Sequence, residues 1–332
     1  MSSEKAFYIK SIDISGLFGT ERIHWELRQD VNILGGPNGS GKSTILKACF
    51  ELVSKGEIED IKCVRLIDSL SITFTNGWSL LWNKERVNDI NKANWASGYN
   101  LSYSVNDYER KADYFCSVQL IDEKEAYKEL DIIEKSTKVV FINSFEQRIS
   151  DAIRISKLPE GTRENDSTLL DVYIKEELNR RNEIYSGAYE SLLGLLQKEG
   201  NVKLEDLADF KDYFQLMNAC ARFFEDYLIS ISNKLVFRKG DSEIPYSSLS
   251  MGEKQLLLIL LMVTNTQKQP FIFIMDEPDL GMHVDWKKKL IKEIHQLNPN
   301  MQLIVSTHAP SVVTGWNDCV KEIGQITLKG ED

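Results

Sequence analysis

Four short segments of this chain carry residue types that could work together on a phosphate anhydride. Gly36-Pro37-Asn38-Gly39-Ser40-Gly41-Lys42-Ser43-Thr44 follows the apolar run Val31 to Leu34 and precedes Ile45, Leu46, Ala48, Cys49, Leu52 and Val53, which recur at helical spacing. In the context of strand, glycine loop and helix, such a loop bares backbone N–H groups to phosphate oxygens. Lys42 then neutralises β- and γ-phosphates, and the Ser43 hydroxyl ligates Mg2+. The plainer reading is a glycine-rich turn before a helix. Phe271-Ile272-Phe273-Ile274-Met275 is a wholly apolar strand that ends in Asp276-Glu277-Pro278. Ligands gather at the carboxyl ends of parallel strands, where Asp276 can hold a Mg2+ shell and Glu277 can polarise a water aimed at the γ-phosphate. A solvated acidic pair is the plain alternative, but surface pairs seldom follow five apolar residues.

Leu249-Ser250-Met251-Gly252-Glu253-Lys254-Gln255 opens an apolar helix that runs from Leu256 to Val263. Ser250 as N-cap with Glu253 three residues on reads as a capping box. That role coexists with phosphate binding at an exposed helix N-terminus. Leu303-Ile304-Val305-Ser306-Thr307-His308-Ala309 is another apolar strand ending in polar residues. A lone histidine is usually structural, yet His308 closes a second parallel-type strand near the same sheet edge.

The elements that must position these groups are legible in outline. Phe7, Ile9, Ile12 and Ile14, then Ile23 and Trp25, alternate around the Gly16-Leu17-Phe18-Gly19 break as a hairpin would. Alternating segments between 63 and 121, including Ser71 to Thr75, Ser79 to Trp82 and Tyr99 to Val105, predict an antiparallel layer. Val139 to Asn143 is a further buried strand. Apolar residues at a near four-residue step from Ser167 to Glu199, with Gly200 as the stop, predict one long helix. A second stripe, Leu207, Phe210, Phe214, Met217, Ala221, Phe224, Leu228 and Ile231, predicts another, giving a helical hairpin about 50 Å long. The fold class expected is α/β, a mixed sheet with an antiparallel layer plus a helical lobe. The nucleotide-binding domain takes residues 1–160 and 235–332, and the inserted helical lobe takes 161–234.

In their order, the four segments resemble the ATPase heads of the ABC superfamily, in the SMC, RecF and OLD-like branch. The stand-alone AAA family ATPases of bacterial DNA repair and anti-phage defence share the Glu-Pro-x-Leu and Ser-Thr-His-x-Pro segments. The resemblance covers about residues 7–55 and 235–325 closely. It implies a phosphate loop at Gly36 to Thr44, a signature at Leu249 to Gln255 with Ser250, Gly252 and Glu253 against nucleotide, Asp276 for magnesium, Glu277 as general base and His308 as switch histidine. Pro278 to His283 looks like the branch's dimer-contacting loop. Met251 departs from the serine or glycine usual in that signature. Gln147, after the 139–143 strand, is the choice for the glutamine-loop residue, with Gln119 the alternative. The interval from Ser43 to Ser250 is about twice that of transporter subunits, which disfavours a transporter ATPase subunit. The resemblance further implies a homodimer or higher homo-oligomer closed around ATP and Mg2+, with a separate nuclease or toxin as effector. A nucleotide-gated scaffold holding a toxin is the other reading. No appended nuclease is expected in residues 309–332.

Composition narrows the classes. The 332 residues are 42% hydrophobic, 27% charged and 10% aromatic, a globular profile in which disorder is excluded. Forty Lys and Arg against fifty Asp and Glu give a net charge of −10, the wrong sign for a nucleic-acid coat or a cationic membrane binder. Four basic clusters remain: Arg148, Arg154 and Lys157; Arg180 and Arg181; Lys234, Arg238 and Lys239; Lys287 to Lys289. Each reads as readily as a solvated helix face as a DNA groove, so DNA contact stays one of two open readings. Five scattered cysteines suit a reducing cytosol, the N-terminus lacks a signal-peptide core, and the eight-residue run Leu256 to Val263 is too short to span a membrane.

Overall fold

The computed structural model describes residues 7–86, 100–107, 112–122, 124, 127–128, 133, 137–143, 169–199, 211–231 and 235–328. The chain divides into two compact units: Met1–Asn143 with Pro270–Pro278 and Asn300–Asp332, and Ser144–Gln269 with Asp279–Pro299.

The first unit contains two sheets. The antiparallel one is built from β1 (Ile9–Leu17), β2 (Glu21–Glu26), β4 (Ser69–Phe74), β5 (Ser79–Arg86), β6 (Asn100–Asp107), β7 (Ala112–Ile121), β8 (Tyr127–Lys128) and β16 (Thr327–Leu328). Its order is β16-β2-β1-β4-β5-β7-β6, with β8 on β7. The parallel one has the order β15-β3-β14-β13-β9, from β15 (Val320–Glu322), β3 (Val31–Gly35), β14 (Met301–Thr307), β13 (Phe271–Asp276) and β9 (Val139–Asn143). β3, β13 and β14 are buried at every position, as continuous apolar runs in a parallel sheet must be. Of their polar members, Asn32 and Gln302 are hydrogen-bonded through their side chains. Gln302 accepts from Ile9 N–H at 2.9 Å and donates to the carbonyls of Ile9 and Arg28 at 2.7 and 2.8 Å, so one buried side chain fastens β14 to the hairpin strand β1. Helix α1 (Lys42–Lys55) lays Ile45, Leu46, Ala48, Cys49, Leu52 and Val53 into the core and stops at Gly56, whose φ of 71° admits glycine readily. A short α2 (Ile61–Leu66), capped by Asp60, and a single turn α7 (Ile323–Ile326) complete the unit.

The second unit holds the 31-residue α3 (Leu169–Glu199), about 46 Å long, and α4 (Lys211–Phe223). It also holds a sheet β10-β11-β12 (Leu228–Ile231, Leu235–Lys239, Ser242–Ile244), α5 (Met251–Thr264) and α6 (Val284–Leu297). The second predicted helix is corrected here. The helix ends at Phe223, and Leu228 to Ile231 pair antiparallel with Leu235 to Arg238 as a strand. A four-residue apolar step through Phe224 and Leu228 also fits a turn followed by Leu-Ile-Ser-Ile, whose β-branched residues favour a strand. Phe224 sits in an aromatic cluster with Tyr227, Phe237 and Trp286, at centroid distances of 5.3–6.2 Å.

Candidate functional site

The site in the first unit is made by strand register. Leu34, Ser306, Asp276 and Asn143 form one rung across β3, β14, β13 and β9, and the chain leaves the sheet at that edge. Gly35, Thr307 and Glu277 come next. At about 4.8 Å between neighbouring strands, the phosphate loop and the carboxylate pair stand about 10 Å apart, with His308 following the strand between them.

The phosphate loop has the backbone its glycines allow. Gly36, Gly39 and Gly41 adopt φ of 146°, 77° and 94°, where a side chain is strained. A Cβ on Gly36 would also lie 3.0 Å from Ile323 Cγ2 and 3.2 Å from Ser40 Oγ. Lys42 is 4% exposed, and its ammonium donates to the Gly36 and Pro37 carbonyls at 2.8 and 2.9 Å, which holds the charge over the loop. No side chain caps α1, so its first amides stay turned toward the loop. Ser40 Oγ is buried without a hydrogen-bond partner among the described residues. Orphan amides, an orphan hydroxyl, a held cation and glycines where Cβ atoms would intrude together fit a polyphosphate.

Across the rung, Ser306 Oγ donates to Asp276 Oδ1 and accepts from Glu277 N–H at 3.2 Å, while the Ser306 carbonyl accepts the same N–H at 3.0 Å. Glu277 is 6% exposed and sits at φ 47°, a left-handed conformation that costs a side chain about 1–2 kcal/mol. The turn throws its carboxyl toward His308, whose Nδ1 lies 3.2 Å from Glu277 Oε1. Asp276, fully buried, and the exposed Ser43 hydroxyl supply hard oxygen donors of the kind Mg2+ prefers.

The signature segment lies in the second unit. Ser250 caps α5, accepting from Glu253 N–H at 3.3 Å while Ser250 N–H donates to Glu253 Oε2 at 2.7 Å. Gly252 is there for packing as well: a Cβ on it would lie 2.3 Å from the Gly281 carbonyl oxygen. The signature glycine and the 278–283 loop are therefore in backbone contact. Lys254 is buried in an ion pair with Asp171 at 2.8 Å, which ties α5 to α3.

Three other sequence expectations meet the structure here. Gln147 lies outside the described residues, and Gln119 is on β7 of the antiparallel sheet. Arg181 is 1% exposed, stacked on Tyr185 and hydrogen-bonded to Thr264 and Asn265, so it belongs to no exposed basic face. Lys287, Lys288 and Lys289 pair with Asp279, Asp285 and Glu225, which cancels that cluster. Arg148, Arg154, Lys157 and Lys234 lie outside the described residues. Phe18, which the sequence did not single out, lies beside the phosphate loop. It holds φ 54° in the hairpin turn, is 44% exposed, and its ring would lie 3.2 Å from a Cβ on Gly41. Its only signal in the sequence was an aromatic residue in a turn flanked by glycines.

A family model described as "AAA domain, putative AbiEii toxin, Type IV TA system" matches residues 146–314. The "Septu protein PtuA" of Bacillus thuringiensis is 23% identical over 334 residues, covering 92% of this chain and 72% of that protein. The "Retron Vc95 probable ATPase" of Vibrio cholerae serotype O1 biovar El Tor is 33% identical over 87 residues, 23% of this chain and only 17% of that protein. Among solved structures, the Smc head domain with an extended coiled coil bound to the C-terminal domain of ScpA derived from Pyrococcus furiosus superposes with a TM-score of 0.52. It covers 97% of this chain and 96% of that one at 14% identity, a likeness of fold to an ABC-type ATPase head.

Proposed function

The chain belongs to the AAA-domain family whose model spans residues 146–314, and from that premise we propose that it binds and hydrolyses ATP with Mg2+ and dimerises around the nucleotide. The observation that carries the reading is the shared rung, which brings Lys42, Glu277 and His308 to one edge of a parallel sheet. Lys42 and the loop amides hold the β- and γ-phosphates. Ser43 and Asp276 would hold Mg2+, which would supply charge neutralisation at the phosphate oxygens when bound. Glu277 takes the proton of the attacking water, and His308 positions that carboxylate and senses the γ-phosphate. Phe18 offers an aromatic face beside the loop. Ser250, Gly252 and Glu253 complete the site of a second copy, as the SMC-like resemblance implies.

The likeness to Septu PtuA and a retron ATPase supports a place in anti-phage defence. The output is then a conformational change passed to a separate effector protein, a nuclease or toxin. Phosphate release from ATP by the purified chain, with Mg2+ and with chelator, tests the reaction. Lys42→Ala removes the cation that the loop amides need beside a polyanion, so calorimetry should find ATP affinity lost. Near-normal affinity in that variant overturns the phosphate-loop assignment.

A further inference from the structure

A wholly buried hydroxyl, that of Ser306, follows the apolar run of β14 one residue before the strand ends. Strand register sets Ser306 between Leu34 of β3 and Asp276 of β13, and so between the phosphate loop and the carboxylate pair. Most side-chain hydrogen bonds go to backbone or water, and a buried hydroxyl that meets a carboxylate instead calls for a reason. Ser306 Oγ has one proton and two lone pairs to place. The Glu277 N–H, which can only donate, takes a lone pair at 3.2 Å, and the proton is left for Asp276 Oδ1. N–H, O–H and carboxylate form a chain in which each bond polarises the next. Thr307 Oγ1 then accepts the Ala309 N–H at 3.0 Å, which shapes the turn after the strand, and His308 Nδ1 lies 3.2 Å from Glu277 Oε1. One strand end therefore touches both carboxylate residues.

We propose that Ser306 is the positioning residue of this site: its proton fixes the rotation of the Asp276 carboxylate that takes the divalent cation, and its lone pair holds the left-handed turn that aims Glu277. The inference rests on the ATPase reading above. Two features argue against a role in packing alone. A strand that needs only to be filled at this depth takes an apolar residue, as Leu303, Ile304 and Val305 do. The second feature is the backbone of Glu277, at a φ of 47° that its type disfavours. Pairing with β14 needs the Ser306 carbonyl, which any residue supplies, but the Oγ gives the same N–H a second acceptor. The serine side chain thus acts on the turn and on the neighbouring carboxylate at once, and touches no reacting atom itself.

The test uses the full-length chain, a non-hydrolysable ATP analogue and Mn2+ as the cation probe, counted by electron paramagnetic resonance. Ser306→Ala should weaken Mn2+ in the protein–analogue complex about 10- to 100-fold, as loss of a hydrogen bond to a charged group does. Calorimetry in chelator should find the analogue bound within about threefold of wild type, because the phosphate loop is untouched. With Mg2+ and ATP, kcat should fall about 10- to 100-fold while KM stays near wild type. Ser306→Thr keeps the hydroxyl and should restore both Mn2+ affinity and kcat. Circular dichroism melts check folding, and Ser306→Cys, similar in shape but a weak donor, replaces the alanine variant if that one fails to fold. Mn2+ affinity and kcat near wild type in Ser306→Ala overturn the proposal. So does a threonine variant that melts like wild type and loses as much as alanine. A wild-type chain that binds neither the analogue nor Mn2+ removes the ATPase reading and this proposal with it; wild type that binds both, beside an unaffected Ser306→Ala, overturns the proposal alone.

Discussion

Breaking the Asp171–Lys254 ion pair should destabilise the second unit far more than a surface pair would. Lys254 Nζ lies 2.8 and 3.1 Å from the two Asp171 oxygens, and the side chains are 6% and 7% exposed. Removing Asp171 leaves the buried Lys254 ammonium without this counterion, which costs about 3–5 kcal/mol, against 0–1 kcal/mol for an exposed pair. Asp171→Leu strands the ammonium and also removes an acidic group from the first turn of α3, worth about 0.3–1 kcal/mol against the helix dipole. Asp171→Leu with Lys254→Met replaces both charges by apolar groups of similar size, and should recover all but about 1 kcal/mol. At about 2–4 °C per kcal/mol, the single variant should melt roughly 6–20 °C lower. The assay is thermal and urea unfolding of both single variants and the double. Lys254 belongs to the signature, so Lys254→Met should lower turnover while leaving ATP affinity at the phosphate loop near wild type. Single-variant losses below 1 kcal/mol, or losses that simply add in the double variant, refute the buried-pair argument.

Glu277→Gln keeps the shape of the side chain and loses its basicity. Hydrolysis should fall about 100- to 10,000-fold with ATP still bound, and light scattering should show more ATP-dependent dimer than wild type; unchanged hydrolysis removes Glu277 from the base role. Ser250→Arg mixed with Lys42→Ala should regain ATPase activity, because each mixed dimer rebuilds one composite site. Loss of ATP affinity in dilute monomeric Ser250→Arg would show that the signature acts within its own chain. Gly252→Ala places a Cβ 2.3 Å from the Gly281 carbonyl oxygen, so it should cost about 1–3 kcal/mol in urea unfolding. A neutral result there means that the 278–283 loop yields freely.

Where one rule governed a segment, the sequence foretold the structure. The strand, loop and helix around Gly36 to Thr44 and the apolar runs before Asp276 and His308 were legible because continuous apolar runs ending in polar groups have few other uses in a parallel sheet. The capping box was legible because Ser250 and Glu253 stand three residues apart just before an apolar helix. The end of α4 was not, because Phe224 and Leu228 satisfy helical spacing while a turn intervenes. Arg181 looked like surface because a helix with a charge every few residues normally turns its charges outward; its contacts with Tyr185, Thr264 and Asn265 bury it. The left-handed backbone of Glu277 had no local signal, since its N–H is held by Ser306 from another strand.

The seating of the phosphate loop has a consequence for the order of folding. Among the described residues, β3, at residues 31–35, has no partner strand close to it in sequence. It pairs with β14 at 301–307 and β15 at 320–322, and Glu322 and Ile323 press on Gly35 and Gly36. Contacts of such long sequence separation form slowly, because loop closure must precede them. During synthesis the antiparallel hairpins, whose partners lie close by, can form early, while the strand bearing the phosphate loop waits with an unpaired edge for almost three hundred further residues. A truncated product of translation therefore has no seat for ATP, and nucleotide binding reports that residues 301–323 have been made and docked.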